Sequence, residues 1–245
     1  SSSMLAVGTH RVVADAFNTA SSVAGNLLLV GRESASLNAM AGRSFTISGD
    51  VLVDSRDYGV VSSSLQSLDQ INAAGGNAEI NAFTGGAVTI SGSALVTADA
   101  FAGADDISRI AGTALGGTAQ IRGLGGNVAI TGQATVSARG LGTTTSGIEA
   151  GAEARGGLAQ FLATQGGSAS VGQSLTVRAD AIAANGSLFS PSTVSNAYGG
   201  QAFVSIFDGG GTITVGGLTV VDASARGGSA NTAGAGSIGD AGEAV

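Results

Sequence analysis

The chain has no cysteine, no lysine and no tryptophan, a single proline and only 4% aromatic residues. Without cysteine there is no disulfide framework and no thiolate chemistry, although that alone does not fix a compartment. Without lysine all ten basic residues are arginine, they form no cluster, and the net charge is −7. This argues against a nucleic-acid groove and against polybasic attachment to anionic lipid. Scarce aromatic bulk is at odds with an ordinary globular core, yet 43% hydrophobic residues is far too many for a disordered chain. Long apolar runs are missing as well. The most notable, at 27–30, is far too short to span a bilayer, so no membrane insertion of this segment is expected. The opening SSSMLAVG has neither a charged region nor an apolar run of signal-peptide length.

What is abundant is small and repeated: 42 of the 245 residues are glycine. Small side chains can stabilise a fold if the core is thin and continuous, which favours a solenoid. Self-similarity supports this. The last apolar residue of a VTISG-like segment recurs as Val7, Ile47, Ile90, Ile130, Val171 and Val215, at intervals of 40, 43, 40, 41 and 44 residues. Six residues later stand Val13, Val53, Val96, Val136, Val177 and Val221, a β-branched residue at one offset throughout. A glycine follows each anchor within two places, from Gly8 to Gly216, where the chain should turn.

Alternation between these points has period two, the signature of half-buried strands. A third element follows a glycine pair: GGNAEI at Gly75, GGTAQI at Gly116, GGLAQF at Gly156 and GGQAFV at Gly199. The expected fold is therefore all-β, a parallel β-helix with right-handed coiling and about six coils of 40–44 residues, each with three short strands and a variable loop. The units run 5–44, 45–87, 88–127, 128–168, 169–212 and 213–245 as one solenoid segment. Both ends fall within the repeat, the expectation for an excerpt of a longer array or for units continuing into neighbouring copies. Unit one is the least regular. Its connection at 17–33 contains LLLV, and its third strand, SASLNAM, lacks the glycine pair. Leu65, Leu68 and Ile71 have near-helical spacing, and alternation over 148–154 allows an extra strand per unit.

Stacking such units should lay Ile47, Ile90, Ile130, Val171 and Val215 in one ladder and Val53, Val96, Val136, Val177 and Val221 in another. Three residues past the valine, on the outward parity, Arg56, Asp99, Arg139 and Asp180 alternate in sign. They form an expected charge ladder whose exposed pairs are each worth about 0–1 kcal/mol, with coincidence among four residues as the alternative. The outward Thr46, Thr89, Ser170 and Thr214, interrupted by Ala129, read as ordinary β-propensity and not as an ice-binding file.

Candidates for chemistry are sparse, so no catalytic, cofactor or metal residue is assigned. His10 stands without a partner motif and reads as a solvated strand residue. Asp105 and Asp106, with Asp54 and Asp57, are of the right type for loop calcium, but no calcium-binding nonapeptide supports it. The glycine run at Gly209 lacks the setting of a nucleotide loop, and Asn185-Gly186-Ser187 is as much a turn signal as a glycosylation sequon.

The segments AVTISGSALVTADA, NVAITGQATVSARG and SASVGQSLTVRADA resemble the β-helical repeats of large bacterial surface proteins of the filamentous-haemagglutinin and autotransporter-passenger type. The resemblance covers nearly the whole chain and rests on period and composition; it differs in repeat length, since the haemagglutinin coils are shorter. It implies a location on the surface of a Gram-negative bacterium and a role as an adhesive or structural fibre. The expected function is thus a non-enzymatic extracellular segment that displays loops and associates with itself along or beside its axis, with a host or neighbouring-cell surface or polysaccharide as partner. The alternative is a carbohydrate-active β-helix lyase or hydrolase, which two tyrosines and no tryptophan or lysine disfavour. An ice-binding solenoid comes third.

Overall fold

The computed structural model describes residues 3–8, 10–17, 20–59, 72–102, 112–142, 153–184, 195–228 and 238–245. The described residues contain no helix. Strand follows strand, and each stacks in parallel on its counterpart one turn of the chain away, which gives five sheets and the architecture of a parallel β-helix.

Three sheets form the body. Face 1 stacks Ser21–Val23, Ser44–Ile47, Ala87–Ile90, Asn127–Ile130, Gly167–Val171 and Gly211–Val215. Face 2 stacks Met4–Gly8, Leu27–Gly31, Val51–Asp54, Ala94–Thr97, Ala134–Ser137, Leu175–Arg178 and Thr219–Asp222. Face 3 stacks Arg11–Ala16, Ser34–Ala39, Asn77–Phe83, Thr118–Leu124, Leu158–Thr164, Gln201–Phe207 and Glu243–Ala244. Period-two alternation sends one side chain in two inward, so Val88 and Ile90 of face 1, Val96 of face 2 and Ile80 of face 3 are all fully buried. Val53, Val96, Val136, Val177 and Val221 stand in register on successive rungs. So do Ile47, Ile90, Ile130, Val171 and Val215. A third file on face 3 runs Leu37, Ile80, Ile121, Phe161 and Val204.

The repeat length has two components. Near the N-terminus, contacts between successive coils join residues 23 or 24 apart; further on they join residues 40 to 44 apart. The difference is an excursion that leaves after face 2 and returns before face 3. It goes out along strands such as Ala100–Ala102 and Gly140–Gly142 and back along strands such as Thr113–Leu115 and Glu153–Arg155. Between the outgoing and returning strands lie two small cores made only of alanine, including Ala100, Ala102 and Ala114 in one and Ala154, Ala181 and Ala197 in the other. A coil therefore has five strands where the sequence suggested three, and the return strand Glu153–Arg155 includes the last residues of the alternation seen over 148–154.

The glycine pair is the neck of this excursion. The N–H of Gly117 donates to the carbonyl of Ala98, closing the loop onto the point it left, and Gly157 with Ala138 and Gly200 with Ala179 repeat the bond. A Cβ on Gly117 would lie 2.1 Å from the oxygen of Gly76 in the coil before, so no side chain fits. SASLNAM lacks the pair because no excursion precedes it.

Unit one departs from the expected alignment. Its LLLV is a face-2 strand, with Leu27 on Val51 and Leu29 on Val53. Val7 therefore pairs with Val30 and not with Ile47, while Val13 belongs to face 3 opposite Ser36. Residues 5–44 hold nearly two short coils, and face 2 counts seven rungs. The expectations for Leu65, Leu68, Ile71, Asp105, Asp106 and Asn185 to Ser187 fall outside the described residues.

Candidate functional site

The richest polar cluster lies at the corner where face 2 hands over to the outgoing strands. One column in register reads Asp54, Thr97, Ser137, Arg178 and Asp222. Two residues further on, the corner backbone is hydrogen bonded from coil to coil through Asp99, Arg139, Asp180 and Ser224. These two columns generate the charge pattern, but not as a uniform ladder.

Asp99 is fully engaged. Its carboxylate accepts from Ser137 Oγ at 2.6 Å, from the Arg139 backbone N–H at 2.8 Å and from Arg139 Nη2 at 2.8 Å, all in the next coil. Its side chain is 3% exposed, a buried charge tolerated because it is paired and hydrogen bonded. Burial opposes the Arg139 charge, but the hydrogen bond and charge of Asp99 outweigh it and raise the guanidinium pKa. Arg56 instead turns to Asp54 of its own coil. That hydrogen bond is the main reason its pKa is raised as well.

Asp180 is the exception. In the next coil Asp222 stands where Ser137 serves Asp99, and Ser224 stands where Arg139 would. The Ser224 N–H is spent on Asp222 at 2.9 Å, and Asp180 Oδ1 is buried without a hydrogen-bond partner. Burial pushes the Asp180 carboxyl pKa up; Arg139 opposes the shift and Asp222 adds to it. Four residues expected to form one ladder thus form one cross-coil pair, one pair within a coil and one orphan.

Beside this corner the outward side of face 2 is apolar over its first four rungs. Leu5, Leu28, Leu52 and Leu95 stand in one column, continued by Thr135. They line a cleft of about 570 Å³. Its polar edge satisfies itself, because Asn26 Oδ1 accepts from the Asp50 N–H at 2.9 Å and Asp50 Oδ1 from the Ser93 N–H at 2.7 Å. A smaller hollow of about 120 Å³ adjoins it over Leu95 and Thr135 and is lined by Arg56, Arg139 and Arg178.

Searched against family models, curated proteins and solved structures, the chain matches none. The geometry has to speak for itself.

A second polar array covers the outward side of face 3. Asn38 Nδ2 donates to Asp15, Asn81 Nδ2 to Asn38, and Arg122 reaches both Asn81 at 2.8 Å and Glu79 at 2.8 Å. Gln120 and Gln160 bond to each other across the next rung. Sequence reasoning missed this array. The signal was present in the third outward position of SASLNAM, NAEINAF and TAQIRGL, but only register shows that Asn38, Asn81 and Arg122 touch.

The remaining candidates are dispersed. His10 Nδ1 meets Glu33 Oε1 at 2.9 Å on the exposed surface of the short coils. Asp57 pairs with Arg32 at 3.1 Å and accepts from the Ala74 N–H. It borders a cleft along the return strands together with Glu153, which is held by Arg155 at 2.8 Å. The Tyr198 ring lies under the Arg155 guanidinium, and Tyr58 stacks on Phe101 with centroids 4.8 Å apart. Gly209 and Gly210 form a left-handed turn between faces 3 and 1. Thr46, Thr89, Ala129, Ser170 and Thr214 share one outward column of face 1. Among the described residues no three metal-ligating side chains converge.

Proposed function

We propose that the chain is a non-enzymatic segment of an extracellular fibre on a Gram-negative bacterium, a stiff spacer that carries its excursions along one edge. The observation behind this reading is the unbroken side-chain registry of face 2 through seven rungs, which gives a rod of about 30 Å at one rung per 4.8 Å. Each coil is tied to the next by backbone bonds, an aliphatic ladder and corner side chains, so the stack resists bending as a unit. Setting the excursions aside leaves a coil of 23 or 24 residues. That brings the repeat nearer to the shorter coils of the haemagglutinin type it resembles.

The carbohydrate-active alternative needs carboxyl groups free to exchange protons. The carboxylates bordering the clefts are instead engaged: Asp57 by Arg32, Glu153 by Arg155, Glu79 by Arg122 and Asp99 by Arg139. The decisive experiment is antibody labelling of intact source cells with serum against this segment. Surface label without permeabilisation supports the fibre reading; label only after permeabilisation overturns it. Release of reducing or unsaturated sugar ends by the purified protein would turn the assignment toward an enzyme.

A further inference from the structure

The excursion corner repeats one arrangement with changed chemistry, and the change isolates Asp180. Around Asp99 the next coil supplies the Ser137 hydroxyl at 2.6 Å, the Arg139 backbone N–H at 2.8 Å and the Arg139 guanidinium at 2.8 Å. Around Asp180 the corresponding residues are Asp222 and Ser224, which follow in the same register. The Ser224 N–H is donated to Asp222 at 2.9 Å, and a serine side chain carries no charge. Asp180 is only 7% exposed, and its Oδ1 is buried without a hydrogen-bond partner.

The neighbouring charges do not make up the deficit. Burial pushes the Asp180 carboxyl pKa up, Arg139 and Arg178 oppose the shift, and Asp222 adds to it. Arg139 is already paired with Asp99. Arg178 is exposed and forms no ion pair with either carboxylate among the described residues. Three carboxylates, Asp99, Asp180 and Asp222, thus stand against two guanidiniums, Arg139 and Arg178, and one negative charge is left over. That surplus lies where Asp180 and Asp222 come together from adjacent coils, as Asp99 and Ser137 do.

We infer that this corner binds a calcium ion between the carboxylates of Asp180 and Asp222, in the role that the Arg139 guanidinium plays for Asp99. The donors are all oxygen, which selects a hard cation. Calcium accepts an irregular shell completed by water, whereas magnesium demands a near-ideal octahedron. Asp222 is half-buried and Ser224 exposed, so the outer side of the ion faces solvent. With two charged ligands the site is weak, half-saturated at about 0.1–1 mM calcium. The inference does not rest on the fibre reading, since the corner is the same wherever the protein resides.

The test uses the whole 245-residue protein, stripped with chelator, in equilibrium dialysis against radioactive calcium and in thermal unfolding with calcium, magnesium or sodium chloride at matched ionic strength. Saturable binding that Asp180→Asn reduces by one ion per chain is expected, with a rise in midpoint of about 3–10 °C at 10 mM calcium and a smaller one with magnesium. Asp222→Asn should likewise lose that ion. Asp180→Asn removes a buried charge that has no donor, so its loss of binding is not a loss of fold. Ser224→Arg rebuilds the arrangement around Asp99; it should abolish binding at the corner and raise the midpoint without calcium. Replacing Asp105 and Asp106 by asparagine should leave the Asp180-dependent ion in place. No saturable calcium binding, binding that Asp180→Asn leaves unchanged, or an equal midpoint rise with sodium or magnesium chloride would each overturn the inference.

Discussion

Replacing Asp180 by asparagine should make the protein more stable at neutral pH, against the usual direction of core substitutions. The folded state raises the pKa of this carboxyl, chiefly through burial, with Asp222 adding to the shift and Arg139 and Arg178 opposing it. A carboxyl whose pKa is higher folded than unfolded stabilises the fold fully below its unfolded value and loses that contribution as pH rises through the folded value. At pH 7 the wild type therefore bears the cost of an ionised group whose Oδ1 has no donor. A buried unsatisfied charged group costs on the order of 1–3 kcal/mol or more, and the two arginines offset part of it, which leaves a gain of about 1 kcal/mol for Asp180→Asn. Urea unfolding followed by circular dichroism should show a higher midpoint for the variant at pH 7, and the gap should close as pH falls toward the ordinary carboxylate range. Asp99→Asn is the internal contrast. The same change two coils earlier removes the charge and one of the two carboxylate oxygens that hold Ser137 and Arg139, and should cost about 2–3 kcal/mol. An Asp180→Asn protein that is no more stable than wild type at pH 7 would refute the account, because Asp180 would then be a working partner of Arg139.

Other substitutions probe the remaining contacts. Gly117→Ala places a Cβ 2.1 Å from the Gly76 oxygen; it should cost about 3 kcal/mol or more, read as a lowered thermal midpoint or loss of soluble protein. Phe161 is the bulkiest member of the face-3 ladder, and Ala169 follows it on face 1 where the sister coils carry Val88 and Val128. Ala169→Val alone should therefore overpack by about 1–3 kcal/mol. Combined with Phe161→Ile it should cost less than the sum of the single changes, a coupling that a double-mutant cycle measures. Arg122→Gln breaks the face-3 array at Asn81 and Glu79 and should cost about 1–2 kcal/mol, with a weaker dependence of stability on salt than in the wild type.

The amino-acid sequence by itself determined the three strands of the body, their parallel stacking and, beyond the first coils, which valines and isoleucines lie on one another. Those follow from period-two alternation and from a fixed offset between Ile90 and Val96, which are local and repeated. It also determined the glycine pairs, because backbone approach at Gly117 leaves no alternative residue.

Only the tertiary structure decided where one turn of the chain begins. The 23-residue coils at the start and the 40-residue coils later both present an apolar residue followed by a valine. Spacing alone therefore let Val13 stand in for Leu29, and the registry Leu29 on Val53 settled it. The partners of Arg56, Asp99, Arg139 and Asp180 were likewise beyond the sequence. An alternating column says that opposite charges come near, but which oxygen is satisfied depends on whether the next rung offers Ser137 and Arg139 or Asp222 and Ser224. The leucine file on face 2 was legible as four residues and not as a surface, since Leu28, Leu52 and Leu95 become neighbours only when coils of unequal length close on the same axis.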